Sequence, residues 1–184
     1  MAAQIPLVDF SPFQMEEGVC IGEEATPHQL RVSQQINEAC RVHGFVHLTN
    51  FGLSKQLYDS VLQKTEELFR DEDLKSNLPL LNRLTNVGFQ PYKTENFDEK
   101  QRDMDLKESL NLRLHPDIKF DFSCCPPGFE EKISELLQVL QKASQKYALA
   151  CALALNLPLD SFSTILQEHR KLLLRLNYYP AIQN

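Results

Sequence analysis

The sequence predicts an α+β fold, and three observations carry that prediction. Two short β-rich runs near the start, IPLVDF and FVHLTN, flank one helical stretch. Two stretches, one after Ser54 and a longer one beyond Gly128, carry apolar residues at helical spacing. The closing run KLLLRLNYYP instead alternates with period two, as a strand does. The order is strand, helix, strand, several helices, then strands, in which helices pack against a sheet.

Each element follows from its own residues. IPLVDF begins a short strand just after Pro6. Thr26-Pro27-His28-Gln29 joins a capping-box pattern to a proline at the first helical position, starting a helix that runs to His43 and is stopped by Gly44. FVHLTN is the second strand. Ser54 can cap the next helix, in which Leu57, Tyr58, Val61, Leu62, Leu68 and Phe69 form an apolar stripe. Asp71 caps a short helix through Leu78, the pattern from Asn82 to Tyr92 is irregular, and ESLNLRL alternates like a strand. HPDIKFDFSCCPPG reads as a loop, with three prolines and no helical period.

Beyond Gly128 comes the longest helix, with Ile133, Leu136, Leu137, Leu140, Tyr147 and Cys151 on one stripe and an end near Asn156. Its apolar tail, YALACALALNLPL, is too short to span a bilayer and is interrupted by Asn156 and Pro158. Asp160 can cap a last helix reaching about His169. In the terminal strand Leu172, Leu174, Leu176 and Tyr178 share one face. Leu173, Arg175, Asn177 and Tyr179 share the other, which has the character of a pocket lining more than of core.

Composition narrows the function. At 184 residues, with 42% apolar and 24% charged residues, the chain is long enough for one domain with a real core. The 19 basic and 25 acidic residues give a net charge of -6 without a Lys/Arg run, and Trp is absent, so no nucleic-acid partner is expected. The five cysteines are Cys20, Cys40, Cys124, Cys125 and Cys151; an odd count and no C-x-x-C argue against a disulfide framework or a zinc site. A reducing, cytoplasmic location fits best. MAAQIPLVDF lacks the basic start of a signal peptide and reaches Asp9 quickly, so no membrane partner is expected.

Three stretches, IPLVDF, INEACRVHGFVHLTNFGLS and LLLRLNYYP, occur in order with GFQPY and DLKESLNLR between them. Together, across nearly all of the chain, they resemble the N-terminal region of the 2-oxoglutarate- and Fe(II)-dependent dioxygenases related to isopenicillin N synthase. The resemblance implies a helical N-terminal region with short strands, plus the first strand or strands of an incomplete double-stranded β-helix, or jelly roll. Residues 1–122 would be the dioxygenase N-terminal region, 123–169 the long helix and a helical connector, and 170–184 the first strand of a truncated jelly-roll core.

In that family the Asn-x-Tyr of NYYP helps hold 2-oxoglutarate. Carried over, it falls on Asn177 and Tyr179, with Arg175 on the same face as a substrate contact. A keto-acid carboxylate is well met by an amide donor and a phenolic hydroxyl in a water-poor lumen. Spacing by itself favours a plainer alternative, in which Asn177 ends an edge strand and both tyrosines pack; the family pattern favours the ligand role. One departure is Asn50-Phe51-Gly52, where the family usually has NHG. That histidine is not a metal ligand in the family, so the change bears on hydrogen bonding near the turn.

Oxygen activation at non-haem iron needs two histidines and a carboxylate on one face, with open positions beside them. The family supplies them as His-x-Asp and a distant His, with Arg-x-Ser beyond, all after the NYYP strand. Here Ala181, Ile182, Gln183 and Asn184 follow it, whereas completing an eight-stranded jelly roll takes about 80 residues more. No catalytic residue and no metal ligand is therefore expected among these residues. Fe(II) and 2-oxoglutarate belong to the complete fold and are not expected to bind stably to this chain alone.

His115-Pro116-Asp117 with His169 downstream imitates the iron motif. Pro116 restricts the backbone between the would-be ligands, the run precedes a Pro-rich loop, and His169 belongs to a helix end. His43 sits at a helix C-terminus, His47 in a strand and His28 in a solvated first turn. Glu66-Glu67 reads as a solvated helix face, and Cys124-Cys125, with no histidine nearby, as an inert thiol pair.

The resemblance thus implies the N-terminal part of an oxidoreductase that oxidises a small-molecule substrate as 2-oxoglutarate becomes succinate and CO2, without turnover in this chain for want of the iron triad. The alternative is a non-catalytic short isoform acting as an interaction or regulatory protein, self-associating through unpaired strands. A free-standing helical binding module is disfavoured by the alternation at Arg175, Asn177 and Tyr179.

Overall fold

The computed structural model describes residues 4–14, 24–95, 104–113, 115, 117–162 and 172–181. Its elements run β1 (Leu7–Asp9), α1 (Pro27–His43), β2 (His47–Thr49), α2 (Lys55–Arg70), α3 (Glu72–Asn77), β3 (Gly88–Gln90), β4 (Glu108–Arg113), α4 (Phe129–Ala154) and β5 (Leu173–Tyr178), with single 3-10 turns at Ser11–Phe13 and Phe122–Cys124. They fall into two units, Met1–Ser54 with Gln138–Glu168, and Lys55–Leu137 with His169–Asn184. The α+β expectation holds.

In the first unit α1 begins and ends where its local chemistry dictates. Thr26 Oγ1 accepts from Gln29 N at 3.3 Å and Gln29 Oε1 accepts from Thr26 N at 2.9 Å, satisfying two donors that the helix start would leave open. Gly44 takes φ 72°, a left-handed conformation that costs glycine little, and its N–H reaches Cys40 O. With α1 as the crossover, β1 and β2 pair in parallel, Leu7 opposite His47 through Asp9 opposite Thr49. Val8, Phe10, Phe13, Val32, Ile36 and Ala150 form the buried core, with the Phe10 and Phe13 rings stacked 4.8 Å apart. Phe51 packs against this core, so the phenyl ring in Asn50-Phe51-Gly52 contributes apolar contact. The turn keeps a polar tie through Asn50 Nδ2, which donates to Asp9 Oδ1 at 2.9 Å.

The second unit is built on an antiparallel sheet ordered β3-β4-β5. Leu57, Val61, Leu68 and Phe69 of α2 are buried, and the Phe69 ring lies 5.4 Å from Tyr178 and 6.4 Å from Phe89. The expected α2 stripe is narrower than its sequence suggests: Tyr58 and Leu62 are 50% and 49% exposed. Asp71 caps α3 by accepting from Asp73 N and Leu74 N. Phe129, Ile133, Leu136 and Leu137 bury the first turns of α4.

The structure adds one strand and shortens a helix. β3 lies inside the stretch expected to be irregular; three residues are too few to show a period, and pairing with β4 makes them a strand. Gly88 takes φ 126°, and a Cβ there would stand 2.5 Å from Leu80 O, so the close backbone approach demands glycine. α4 stops at Ala154 rather than near Asn156, because Asn156 turns left-handed at φ 54° and Leu157 N reaches back to Ala152 O at 2.9 Å. Of the helix expected from Asp160 to His169, residues 163–169 lie outside the described residues, and Asp160 to Phe162 form a turn. Among the described residues no helix is long and apolar enough to cross a membrane.

Candidate functional site

Opposed residues of an antiparallel pair share a face, so the register of β3-β4-β5 sorts the sheet into two chemistries. Phe89, Leu110 and Leu176 make one cross-strand row, with Leu112 opposite Leu174 and Glu108 opposite Tyr178. The other face carries Gln90, Ser109 and Asn177 in one row and Asn111 opposite Arg175 in the next. Arg175 and Asn177 therefore project from β5 on the same side, as the alternation predicts. Asn177 is exposed, and Tyr179, one residue beyond β5, is 68% exposed.

Arg175 is held at two points. Its Nε donates to Asn111 Oδ1 at 3.0 Å and its Nη1 to Glu95 Oε1 at 2.9 Å. Asn111 is fully buried and donates from Nδ2 to Asn86 Oδ1 at 2.8 Å. The other carboxylate oxygen of Glu95 pairs with Lys107 Nζ at 2.7 Å, and Lys107 also reaches Asp105 at 3.2 Å. Burial by itself pushes the Glu95 carboxyl up, but the bonds from Lys107 and Arg175 outweigh it and hold the group below the usual carboxylate range. Its hydrogen bond to Glu95 raises Lys107 despite burial. Ser109 Oγ donates to Gln90 Oε1 at 3.4 Å.

Four of these residues, Ser109, Asn111, Glu95 and Lys107, are not singled out by the sequence motifs. A signal for two of them existed: in ESLNLR the polar Ser109 and Asn111 alternate with Leu110 and Leu112, which places them on one face. Nothing local marks Glu95, which meets Arg175 across 80 residues of chain.

On the opposite face Lys75 Nζ lies 3.1 Å from each carboxylate oxygen of Glu108, beside a cleft of about 570 Å³ lined by Phe69, Arg70, Tyr92 and Tyr178. At the His-x-Asp mimic Asp117 N donates to His115 Nδ1 at 3.0 Å, while Pro116 and His169 lie outside the described residues. Among the described residues no three His, Cys, Asp or Glu side chains gather as a metal site. Glu66 pairs with Arg70 and Glu67 with Lys64 along α2. Burial, with neighbouring Cys124, Asp121 and Glu130, pushes the Cys125 thiol up to about 12, so it stays protonated and inert at neutral pH.

Residues 5–128 match the family model described as non-haem dioxygenase in morphine synthesis, N-terminal. Over 191 aligned residues the chain is 26% identical to the 1-aminocyclopropane-1-carboxylate oxidase of Dictyostelium mucoroides, covering 97% of this chain and 50% of that protein. Among solved structures it superposes on a full-length Neurospora crassa protein in complex with alpha-KG at a TM-score of 0.77, with 21% identity over 97% of this chain and 55% of that one. Against JOX2 in complex with 2OG, Fe and JA the TM-score is 0.71, with 24% identity over 97% of this chain and 48% of that one. The chain spans about half the length of the curated relatives it matches.

Proposed function

Because the chain belongs to the family of non-haem dioxygenase N-terminal regions, we propose that it forms the N-terminal half of a 2-oxoglutarate- and Fe(II)-dependent oxidoreductase acting on a small molecule. The observation that carries this reading is the polar sheet face, on which Arg175 and Asn177 stand in register with Asn111 and Ser109 while the reverse face is closed by Phe89, Leu110 and Leu176. An exposed amide and an exposed phenol near the end of one strand suit a carboxylate, since both donate hydrogen bonds and neither adds negative charge.

Asn177 and Tyr179 would hold one carboxylate of 2-oxoglutarate, and Arg175 would touch the substrate. When bound, the keto acid supplies the electrons that let O2 oxidise a C–H bond, leaving as succinate and CO2. Among the described residues no group of His, Cys, Asp and Glu side chains offers a donor set for iron. What this chain contributes is position: β4 fixes β5, and Asn111 and Glu95 aim Arg175.

The test is titration of 2-oxoglutarate into the full-length protein loaded with a redox-inert divalent metal. One lost hydrogen bond to a charged group is worth about 1.5–3 kcal/mol, so Asn177→Ala and Tyr179→Phe should each weaken binding by about tenfold or more. Unchanged affinity in both variants would remove the assignment.

A further inference from the structure

We propose that Asn86 is a positioning residue for Arg175: acting through Asn111, its side-chain carbonyl fixes how the guanidinium is held at the polar face. This rests on the reading that Arg175 touches the substrate, and it places part of the control of that contact in a turn that precedes β3.

The direction of the relay is forced from one end. Arginine carries donors and no acceptor, so the atom of Asn111 that meets Arg175 Nε at 3.0 Å is the carbonyl oxygen. The amide nitrogen of Asn111 is left for Asn86, where it donates to Oδ1 at 2.8 Å. Turning the Asn111 amide over would set its NH2 against Arg175 Nε–H and bring two carbonyl oxygens together at Asn86, so both contacts fail at once. Asn111 is fully buried, and an amide donor in that position depends on its protein partner. Asn86 Oδ1 thus holds the orientation in which Asn111 can receive Arg175.

The backbone holds Asn86 in turn. Over residues 82–87 Asn86 N donates to Asn82 O at 2.7 Å and Asn82 N to Val87 O at 2.9 Å. Asn82 Oδ1 accepts from Leu84 N at 2.9 Å and from Thr85 N at 3.3 Å. Within this turn Asn86 takes φ 55°, a left-handed conformation that glycine, asparagine and aspartate adopt most readily. Position 86 therefore meets two demands, a backbone that turns left-handed and a side-chain oxygen that reaches Asn111. Asparagine meets both, and glycine would meet the first alone.

The experiment separates the two demands. Asn86→Gly keeps the turn and removes the acceptor, whereas Asn86→Asp keeps both. The Arg175 Nε–Hε NMR resonance of the full-length protein, without iron or 2-oxoglutarate and assigned by its loss in Arg175→Lys, reports the bond to Asn111. Hydrogen exchange at Hε should quicken about three- to tenfold in Asn86→Gly, as one weakened hydrogen bond implies, and stay within about twofold of the wild-type rate in Asn86→Asp. In a separate titration with a redox-inert divalent metal, Asn86→Gly should keep 2-oxoglutarate affinity within about twofold, since Asn177 and Tyr179 hold that ligand. Unchanged Hε exchange in Asn86→Gly overturns the proposal. So does equal quickening in both variants, or an Asn86→Gly protein that does not fold, because position 86 would then serve the turn alone. A 2-oxoglutarate affinity that falls in step with Hε protection overturns it as well, since β5 would have loosened as a whole. Failure of the proposed function reads differently: Asn177→Ala and Tyr179→Phe would leave 2-oxoglutarate binding unchanged, while the Hε readout needs neither co-substrate nor metal.

Discussion

Removing the ammonium of Lys75 should unsettle the second unit more than any exposed charge change. Lys75 on α3 and Glu108 on β4 are both about nine-tenths buried, with Nζ 3.1 Å from both carboxylate oxygens. Glu72 adds a bond at 2.8 Å from a side chain 85% exposed. Burial pushes the Lys75 ammonium down, the bonds from Glu72 and Glu108 outweigh it, and the amine ends above its ordinary value, so Lys75 is charged at neutral pH. Lys75→Met removes one partner of this buried pair and leaves the Glu108 carboxyl without its counter-ion, a loss of about 3–5 kcal/mol. Glu108→Leu leaves Lys75 with Glu72, and loses about 1.5–3 kcal/mol in charged hydrogen bonds. The double variant Lys75→Met/Glu108→Leu buries apolar groups where the ions stood, and should return to within about 1 kcal/mol of the wild type or exceed it. Urea unfolding followed by circular dichroism, with m-values compared, measures all four proteins. Should Lys75→Met cost under about 1 kcal/mol, as an exposed pair would, or should the single losses simply add, the pair is not the buried tie between α3 and β4 described here.

Two further outcomes follow from the same unit. The Glu95 carboxyl lies below its ordinary value of 4.5 in the folded chain, so its contribution is present above that pH and is lost as the pH falls through the lowered folded value. Urea midpoints taken between about pH 6 and pH 3 should fall more steeply in the wild type than in Glu95→Gln, and equal slopes would contradict the network. Gly88→Ala should cost about 2–4 kcal/mol, since its Cβ would meet Leu80 O at 2.5 Å with φ at 126°. A loss under about 0.5 kcal/mol in the same denaturation assay would show that the Leu80 backbone can move aside.

Elements whose ends are set by short-range chemistry are legible in the residues themselves. Thr26, Pro27, Gln29 and Gly44 bound α1 because capping and a left-handed stop act over three or four residues. Asp71 marks α3 for the same reason. β3 is not legible in this way: Gly88, Phe89 and Gln90 are a strand because β4 supplies their partners, and Asn111 stands 23 positions along the chain from Gly88. Leu62 and Tyr58 fit the helical period of α2 yet stay half exposed, since period names a face and not how much of it a neighbour covers.

Alternation along LLRLNY by itself determined that Arg175 and Asn177 share a face of β5, because side-chain direction in a strand is a property of the backbone. The tertiary structure alone decided what that face can do. Asn111 and Glu95 lie 64 and 80 residues from Arg175; the pairing of β4 with β5 brings Asn111 to its guanidinium, and Glu95 reaches it from the connection that follows β3. Hydrogen-bond commitment and charge balance act over about 3 Å of space, without regard to separation along the chain.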